Sequence, residues 1–596
     1  MSTGDWDLSA LVPAPTPEGV SAQVAAAEEA VARLAACRDE LVPGLAAERW
    51  LQLLRRYEDV LGTMQVLGAY GGLWFSADTG DPEALAYRNR IEQHLSDWQA
   101  RLLFLELWWQ GLDEAEAARL LPEDPDLRHY LHDLRRLREH RLDEARERLI
   151  LGKDAHGIGA LLTVYTLLTS RLEFELEIDG EIRRLSRDAL MSHVHAPDPD
   201  RRSAAYAELL RVFGREAPVL GQIYVHRVLD WRDEQVRLRG VPSPVTARNL
   251  ANDLPDSVVT TLLDVCEEEA ASFQRYFRWK AAALARREGA DGPVPNSLRR
   301  QDLYAPLGGG GERIEFTEAR ELVLDTLHGF TPILGKLARR VFDENHVDAA
   351  LRPGKRGGAF CATVLPSQTP WVLVNHAGRP RDAAILAHEI GHAVHSLLAA
   401  DHSVLTQHAV LPLAETASVF SELLLTERLL AERDDPALQR ELLAAALDDI
   451  YATVQRQAGF TRFELEAHAA LDRGAAAADL DALYLAGLRR QFGDAVALPE
   501  EFAREWVAIP HIFHTPFYCY AYSFGQLLVL ALFERYRQQG EEFVPGYLEL
   551  LAAGGSAPPM QILRRAGVEA EDPEFWRGGF RIVDGMVERL AALPEP

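Results

Sequence analysis

The stretch that decides the fold covers residues 382–398 and reads DAAILAHEIGHAVHSLL. Its apolar residues recur every three or four positions, which predicts a helix buried on most of its surface. Its centre, AHEIGH at 387–392, is an HExxH pattern. In a helix, His388 and His392 are four residues apart, so both imidazoles project from one face within reach of a single ion. Glu389 borders that face, and the sequence therefore predicts a zinc-binding helix.

A catalytic zinc needs a third protein ligand and one open position. The candidates that follow in the chain are His395, His402, His408, Glu415 and Glu422. His395 lies seven residues beyond His388, roughly 10 Å along a helix, which is too far for both to bind one ion. A metzincin pattern would need a histidine at position 398, where this chain has Leu398.

A second helix is predicted from Pro412, in the segment 412–428 (PLAETASVFSELLLTER). Glu415, Ser418 and Glu422 fall on one stripe of it. Because carboxylates on an apolar helix rarely face a core without a partner, we predict Glu415 as the third ligand. Glu422 would then accept a hydrogen bond from a ligand imidazole. The alternative is that both glutamates are solvated.

The rest of the chain reads as mainly α. Helical periodicity dominates residues 20–149 and returns from 382 to the end, so we predict a mostly helical protein with a small sheet. Helical periodicity resumes after Pro199, which suggests a boundary near 195–205 between an N-terminal helical region, 1–200, and a catalytic region, 201–596.

Strand and loop signals are few. The alternation at Leu172–Ile182, with Asp179-Gly180 inside it, predicts a hairpin, and Trp371–Asn375 is the best strand candidate in the second half. Gly308–Gly311 and Pro353–Gly358 are predicted loops near a functional cleft.

Charge and composition exclude several classes of protein. The 596 residues include 63 Lys and Arg against 90 Asp and Glu, a net charge of −27, which argues against nucleic acid or an anionic membrane as a partner. The four cysteines form no CxxC pair and no secretion signal is visible, so we expect a soluble, cytoplasmic protein. The apolar stretch 506–533 is interrupted by prolines and histidines and is interpreted as protein interior. The sequence does not predict the oligomeric state of the protein.

A third block, Ile509–Gly525 (IPHIFHTPFYCYAYSFG), is rich in hydrogen-bond donors. Hydrolysis of a peptide builds negative charge on the carbonyl oxygen, and His511, Tyr518, Tyr520 and Tyr522 are suitable residues to stabilise it. The alternative is an aromatic stripe that belongs to the core.

Together these motifs resemble the M3 family of zinc metallopeptidases, which is thimet-oligopeptidase-like, and specifically its oligoendopeptidase F branch. The resemblance rests on HEIGHAVH followed by LPLAETASVFSE, and it extends over most of the chain. Three further stretches support it: GKRGGAF at 354–360, WDLSAL at Trp6–Leu11, and the tyrosine-rich block after Ile509.

The resemblance implies one Zn²⁺ per chain on His388, His392 and Glu415, with Glu389 as the general base. Cobalt or manganese would also suit this ligand set. The resemblance further implies a zincin-like catalytic core in a large, two-lobed helical fold, with a deep channel that admits short, unfolded peptides.

The resemblance also places a histidine and a tyrosine of the third block against the transition state. His511 and Tyr520 match best, although His514 is a close rival. Substrate-binding roles are then expected for His514, Tyr518, Tyr522, Gly357, Gly358 and Ala359. The glycine-rich loop lacks the spacing of a nucleotide-binding loop. It would instead let the substrate approach an edge strand at Trp371–Asn375, with which an extended peptide could pair.

The predicted function is therefore a zinc-dependent oligopeptidase, a metalloendopeptidase that cuts internal bonds of short peptides. One alternative is a zinc carboxypeptidase or dipeptidyl carboxypeptidase, which needs a clamp for the terminal carboxylate, such as Arg356, Lys355 or Tyr518. More distant alternatives are an inactive peptide-binding scaffold and a helical interaction module.

Overall fold

The computed structural model describes residues 6–12, 17–287, 295–307 and 313–594, which are predominantly helical. Their α-helices are α1 (Pro17–Ala35), α2 (Ala47–Ala77), α3 (Pro82–Leu102), α4 (Phe104–Gly111), α5 (Glu114–Leu120), α6 (Pro125–Arg136), α7 (Glu144–His156), α8 (Ile158–Ser170), α9 (Arg187–Val194), α10 (Pro199–Arg232), α11 (Pro244–Ala251), α12 (Asp256–Glu268), α13 (Ala270–Arg287), α14 (Phe316–Phe330), α15 (Pro332–Asp343), α16 (Pro380–Leu398), α17 (Leu411–Ala414), α18 (Thr416–Glu432), α19 (Pro436–Thr453), α20 (Gln455–Asp472), α21 (Asp479–Phe492), α22 (Pro510–His514), α23 (Tyr520–Gln539), α24 (Val544–Ala552), α25 (Pro559–Arg565) and α26 (Pro573–Ala592). Their strands are β1 (Phe174–Ile178), β2 (Glu181–Leu185), β3 (Leu298–Arg299), β4 (Val347–Asp348), β5 (Phe360–Ala362), β6 (Trp371–Leu373) and β7 (Val496–Ala497).

The chain divides into two compact units, each built from three segments. Unit 1 comprises Met1–Arg138, Glu312–Glu432 and Tyr536–Val568, and unit 2 comprises Glu139–Gly311, Arg433–Arg535 and Glu569–Pro596. Each unit thus takes chain from both sides of residue 200. The division of the sequence into regions 1–200 and 201–596 stays a prediction.

Unit 1 contains a three-stranded sheet in the order β4-β6-β5, with β6 parallel to β4 and antiparallel to β5. The prediction of an edge strand at Trp371–Asn375 is wrong in this respect. Strand β6 lies between β4 and β5, which form the two edges, and each residue from Trp371 to Leu373 is 0% exposed. The Trp371 indole donates to the backbone oxygen of Asp7 at 2.8 Å, which ties the N-terminal segment to this sheet.

Unit 2 contains the predicted hairpin. Strands β1 and β2 pair antiparallel, from Phe174 opposite Leu185 to Ile178 opposite Glu181. The two turn residues, Asp179 and Gly180, have φ values of 56° and 82°, the left-handed backbone of a two-residue turn that matches strand twist.

No helix among the described residues is long and apolar enough to cross a membrane. The stretch 506–533 is largely buried, as predicted, and is divided between several short elements and the start of α23. The predicted loop at Gly308–Gly311 lies outside the described residues.

Candidate metal centre

The HExxH residues lie on α16, and their partner glutamates, Glu415 and Glu422, lie directly before α18 and about two turns further along. Helix α16 begins at Pro380, with the Asp382 carboxylate accepting the backbone N–H of Arg379 at 3.0 Å. The predicted second helix is divided in two, since Glu415 forms the junction between α17 and α18. Ser418 donates to the Glu415 carboxylate at 2.7 Å, which fixes this side chain at the bend.

The two helices approach each other closely at Gly391, inside the HExxH pattern. A Cβ atom at this position would lie 2.6 Å from Ala417 O and from Ser418 Cα, and 2.8 Å from Ser421 Oγ. Small residues on both sides therefore allow the backbones to come close enough for Glu415 to face the histidine pair.

Three ligand atoms converge in unit 1. His388 Nε2 and His392 Nε2 each lie 3.4 Å from Glu415 Oε2. The ligand atoms of the three residues all lie within 4.8 Å of one another, the only such group of three or more His, Cys, Asp or Glu among the described residues. The other nitrogen of His388, Nδ1, lies 3.3 Å from Glu422 Oε2. An Nδ1–H donated to Glu422 would leave Nε2 as the nitrogen available to bind a metal ion.

The electrostatics of the group are those of a site made for a cation. Burial by itself would lower the pKa of His388, but hydrogen bonds to Glu415 and Glu422 raise it to about 10. Burial by itself would raise the pKa of Glu415, yet hydrogen bonds from His388 and His392 hold it well below its usual range. Concentrated negative charge around two imidazoles is therefore a feature of the protein itself.

The residues fit a catalytic zinc ion. Two imidazole nitrogens and one carboxylate oxygen are the three protein ligands such an ion takes, with a position left open. They line a cavity of about 560 Å³, so the open position faces space that a substrate can enter.

The other candidates for the third ligand have different surroundings. His395 and His408 line the same cavity but do not belong to the convergent group. Burial lowers the pKa of His395 to about 4, so it is neutral at ordinary pH. His402 contacts the Asp126 carboxylate at 3.0 Å through Nδ1 and the backbone oxygen of Ala552 at 2.8 Å through Nε2.

Glu389 lies in the same cavity and is only 7% exposed. Burial raises its pKa, whereas the neighbouring histidines oppose the rise. This carboxylate therefore stands beside the ligand group without belonging to it.

Strand β5 and the residue before it, Ala359, line the cavity opposite α16. Sequence reasoning missed β5. The only feature of the sequence that pointed to this strand was its position shortly after the glycine pair Gly357 and Gly358. Gly358 has φ of 81°, and the Asn375 side chain donates to its carbonyl oxygen at 2.8 Å, so the loop enters the strand in a defined conformation.

Lys355 of this loop is a structural residue. Its side chain is 1% exposed and its Nζ donates to the Asp348 carboxylate and to the backbone oxygens of Asp348, Ala350 and Val374 at 2.7–3.1 Å. Lys355 therefore cannot serve as the carboxylate clamp that a carboxypeptidase would need. Arg356 is exposed and lies over the Phe360 ring.

The third predicted block lies in unit 2, where His511, Tyr518 and Tyr522 form one cluster. The His511 ring is 6.3 Å from that of Tyr518 and 5.8 Å from that of Tyr522. Burial lowers the pKa of His511, which favours a neutral imidazole with an N–H to donate. Tyr522 is 38% exposed, and His514 is exposed as well.

Tyr520 differs from the prediction. It is 0% exposed and its hydroxyl accepts a hydrogen bond from Asn252 Nδ2 at 2.8 Å. Tyr520 is thus buried at the start of α23, whereas Tyr518 is half-buried and Tyr522 is exposed. A spacing of two residues did not show which tyrosines face inward, because the turn before α23 sets that direction.

Comparisons with known proteins agree with these features. Residues 314–582 match the family model described as Peptidase family M3, and residues 108–174 match the model described as Oligopeptidase F. Oligopeptidase PepF of Bacillus subtilis (strain 168) is 23% identical over 599 residues, which covers 99% of this chain and 87% of that protein. Group B oligopeptidase PepB of Streptococcus agalactiae is 25% identical, over 91% of this chain and 88% of that protein.

Solved structures share the fold. A structure from Chlamydophila abortus has a TM-score of 0.86 at 22% identity and covers 100% of this chain and 99% of its own. The crystal structure of oligoendopeptidase-F from Enterococcus faecium has a TM-score of 0.69 at 23% identity, covering 94% and 97%. The family predicted from the sequence is confirmed: this chain belongs to peptidase family M3, in its oligoendopeptidase F branch.

Proposed function

We propose that this chain is a zinc-dependent oligopeptidase that hydrolyses internal bonds of short, unfolded peptides, with one Zn²⁺ per chain. The convergence of His388, His392 and Glu415 beside the buried Glu389 carries the proposal. Its M3 family is a family of zinc metallopeptidases, in agreement with this donor set. The four cysteines are all free, which suits the reducing cytoplasm in which we place it.

His388, His392 and Glu415 would hold the zinc ion. Bound there, zinc supplies Lewis acidity, which lowers the pKa of water and polarises the substrate carbonyl. Glu422 keeps the His388 ring in the orientation and tautomer that direct Nε2 towards the ligand group.

Glu389 is the proposed general base. Its carboxylate accepts a proton from the attacking water and then donates that proton to the leaving amine. The raised pKa of Glu389 makes it a stronger base than a solvated glutamate.

The substrate backbone would lie along β5. Since β5 is an edge strand of its sheet and lines the cavity, an extended peptide could pair with it through main-chain hydrogen bonds, with little sequence preference. Gly357, Gly358 and Ala359, directly before the strand, would let the peptide approach closely.

Donors to the oxyanion are proposed to come from His511 and a tyrosine of the same block. Tyr520, which matches the family best by position, is buried and bonded to Asn252, so Tyr518 and Tyr522 have the better access. His514, also exposed, is proposed to bind substrate.

A mixed pool of short peptides, incubated with the wild type and with Glu389→Gln and followed by mass spectrometry, tests the function. Internal cuts by the wild type alone, with zinc bound to both proteins, are expected. Losses only from C-termini would replace the proposal with a carboxypeptidase. No cleavage by either zinc-loaded protein would make the chain a peptide-binding scaffold.

A further inference from the structure

One peptide group between the candidate donors of unit 2 is held on both sides, by the half-buried Arg248 and the buried Glu464. The carbonyl oxygen of Pro516 accepts from Arg248 Nε at 3.1 Å, and the N–H of Phe517 donates to Glu464 Oε1 at 2.8 Å. These two atoms belong to the same peptide plane, so α11 and α20 fix its direction together. We call Arg248 and Glu464 the peptide clamp.

The clamped peptide leads into a backbone conformation that needs support. Phe517 has φ of 57°, in the left-handed region that residues with a side chain seldom adopt. It is 0% exposed, and its ring lies 4.6 Å from that of His468, one helical turn beyond Glu464. Such a conformation persists only where its surroundings determine it, and strained residues of this kind concentrate at functional sites.

The burial of Glu464 is unfavourable in free energy and also needs an explanation. The residue is 0% exposed, and its second oxygen is buried with no hydrogen-bond partner among the described residues. Burial raises its pKa to about 8, although Arg248 and Arg227 oppose the rise. A buried carboxyl group with an unsatisfied oxygen destabilises a fold, so packing alone does not account for Glu464.

The arginines are themselves held in place. Arg227 donates to Phe513 O at 3.0 Å, which anchors the end of α22 on the other side of the turn. Both guanidinium groups lie over the Trp231 ring, at 5.3 Å for Arg227 and 5.8 Å for Arg248. The turn between α22 and α23 is thus supported from α10, α11 and α20.

We propose that Arg248 and Glu464 are positioning residues: they hold the 516–517 peptide so that Tyr518 stands against His511. The dihedral angles of Phe517 set the direction of the next residue, Tyr518, whose ring is parallel to that of His511 within 3°. The kinetic consequence rests on the proposed function, because it assumes that this cluster stabilises the transition state.

Glu464→Ala removes the acceptor of the Phe517 N–H, whereas Glu464→Gln retains an oxygen in the same place. We expect Glu464→Ala to lower kcat by about tenfold or more with KM within about threefold, and Glu464→Gln to restore most of kcat. Zinc content should be the same in all variants. Asp302→Ala is the matched control, since it removes a carboxylate that is 4% exposed in the same unit and pairs with Arg202 and Arg299.

Hydrogen exchange measured by mass spectrometry supplies a readout that does not depend on activity. Peptides covering 511–522 should exchange faster in Glu464→Ala than in the wild type, Glu464→Gln or Asp302→Ala. If the wild type shows no peptidase activity, the proposed function fails while this arm still decides whether the clamp holds the turn.

Three results would overturn the proposal. The first is a Glu464→Ala protein whose hydrogen exchange over 511–522 equals that of the wild type. The second is a Glu464→Ala protein that exchanges faster there but keeps kcat within threefold of an active wild type. The third is an Asp302→Ala protein that loses as much kcat as Glu464→Ala. If Glu464→Ala does not fold, Arg248→Ala removes the other side of the clamp. A folded Arg248→Ala protein with wild-type kcat and exchange would refute the proposal equally.

Discussion

Replacing Gly391 by alanine tests whether the spacing of two helices sets the metal site. The new Cβ would lie 2.6 Å from Ala417 O and Ser418 Cα, so the backbones must separate by about 0.8 Å to reach an ordinary contact of 3.4 Å. Glu415 lies directly before this part of α18, and would move with it away from His388 and His392.

The magnitude follows from the length of a metal–ligand bond. Zinc–oxygen and zinc–nitrogen distances are about 2.0–2.2 Å and tolerate changes of roughly 0.2 Å. A displacement of about 0.8 Å exceeds that tolerance several times, so we expect the Kd for zinc to rise at least about tenfold, or about 1.4 kcal/mol. Overpacking should also lower the free energy of unfolding by about 1–3 kcal/mol.

Competition with a chromogenic chelator measures the zinc affinity, and thermal unfolding with and without EDTA separates the two effects. Gly72→Ala is the control. It lies inside α2 of the same unit, and a Cβ there would meet nothing within 4 Å. This variant should keep the zinc affinity and gain about 0.4–1 kcal/mol of stability. A Gly391→Ala protein that binds zinc as tightly as the wild type would show that helix spacing does not control the site.

Three further predictions concern single side chains. Glu422→Gln weakens the acceptor beside His388 Nδ1, so zinc affinity should fall about 10–100-fold in the same chelator titration; an unchanged Kd would remove Glu422 from the site. Tyr518→Phe should lower kcat more than it changes KM, whereas Tyr520→Phe should chiefly lower the melting temperature, because its buried hydroxyl bonds Asn252; the reverse pattern in steady-state kinetics and thermal melts would restore Tyr520 as the donor. Burial raises the pKa of Glu464 from 4.5 to about 8, so its contribution to stability is present below pH 4.5 and is lost as pH rises towards 8, by about 1.4 kcal/mol per unit. The melting temperature of Glu464→Gln minus that of the wild type should therefore increase from pH 5 to pH 8. A difference that does not change with pH would contradict a raised pKa for this buried carboxyl group.

The convergence of His388, His392 and Glu415 was predictable because its geometry is local. Positions four apart on a helix share a face, so the sequence alone placed His388 with His392, and the stripe of Glu415 and Glu422 followed from the same periodicity. The hairpin at Asp179-Gly180 was predictable for a similar reason, since two turn residues determine its conformation. The interruption of the helix at Glu415 was not predictable, because an interruption of one residue does not alter the spacing of the apolar residues.

The strand order and the direction of the tyrosines depend on contacts between distant parts of the chain. Trp371 and its neighbours are apolar throughout, which is compatible with either an edge or a central strand, and only pairing with both β4 and β5 decides between them. Tyr520 turns inward because Asn252, far away in sequence, binds its hydroxyl. Periodicity within a segment carries no information about such partners.

The candidate metal centre of unit 1 and the His511 cluster of unit 2 are built differently, so substitutions in them should have different effects. In unit 1 the proposed ligands depend on the distance between two helix backbones and on one hydrogen bond to His388, so changes there should alter zinc affinity first. In unit 2 the His511 cluster depends on side chains from α10, α11 and α20 that contact the turn between α22 and α23. Changes to those side chains should lower kcat while zinc remains bound, so zinc content and kcat measured on the same samples separate the two kinds of defect.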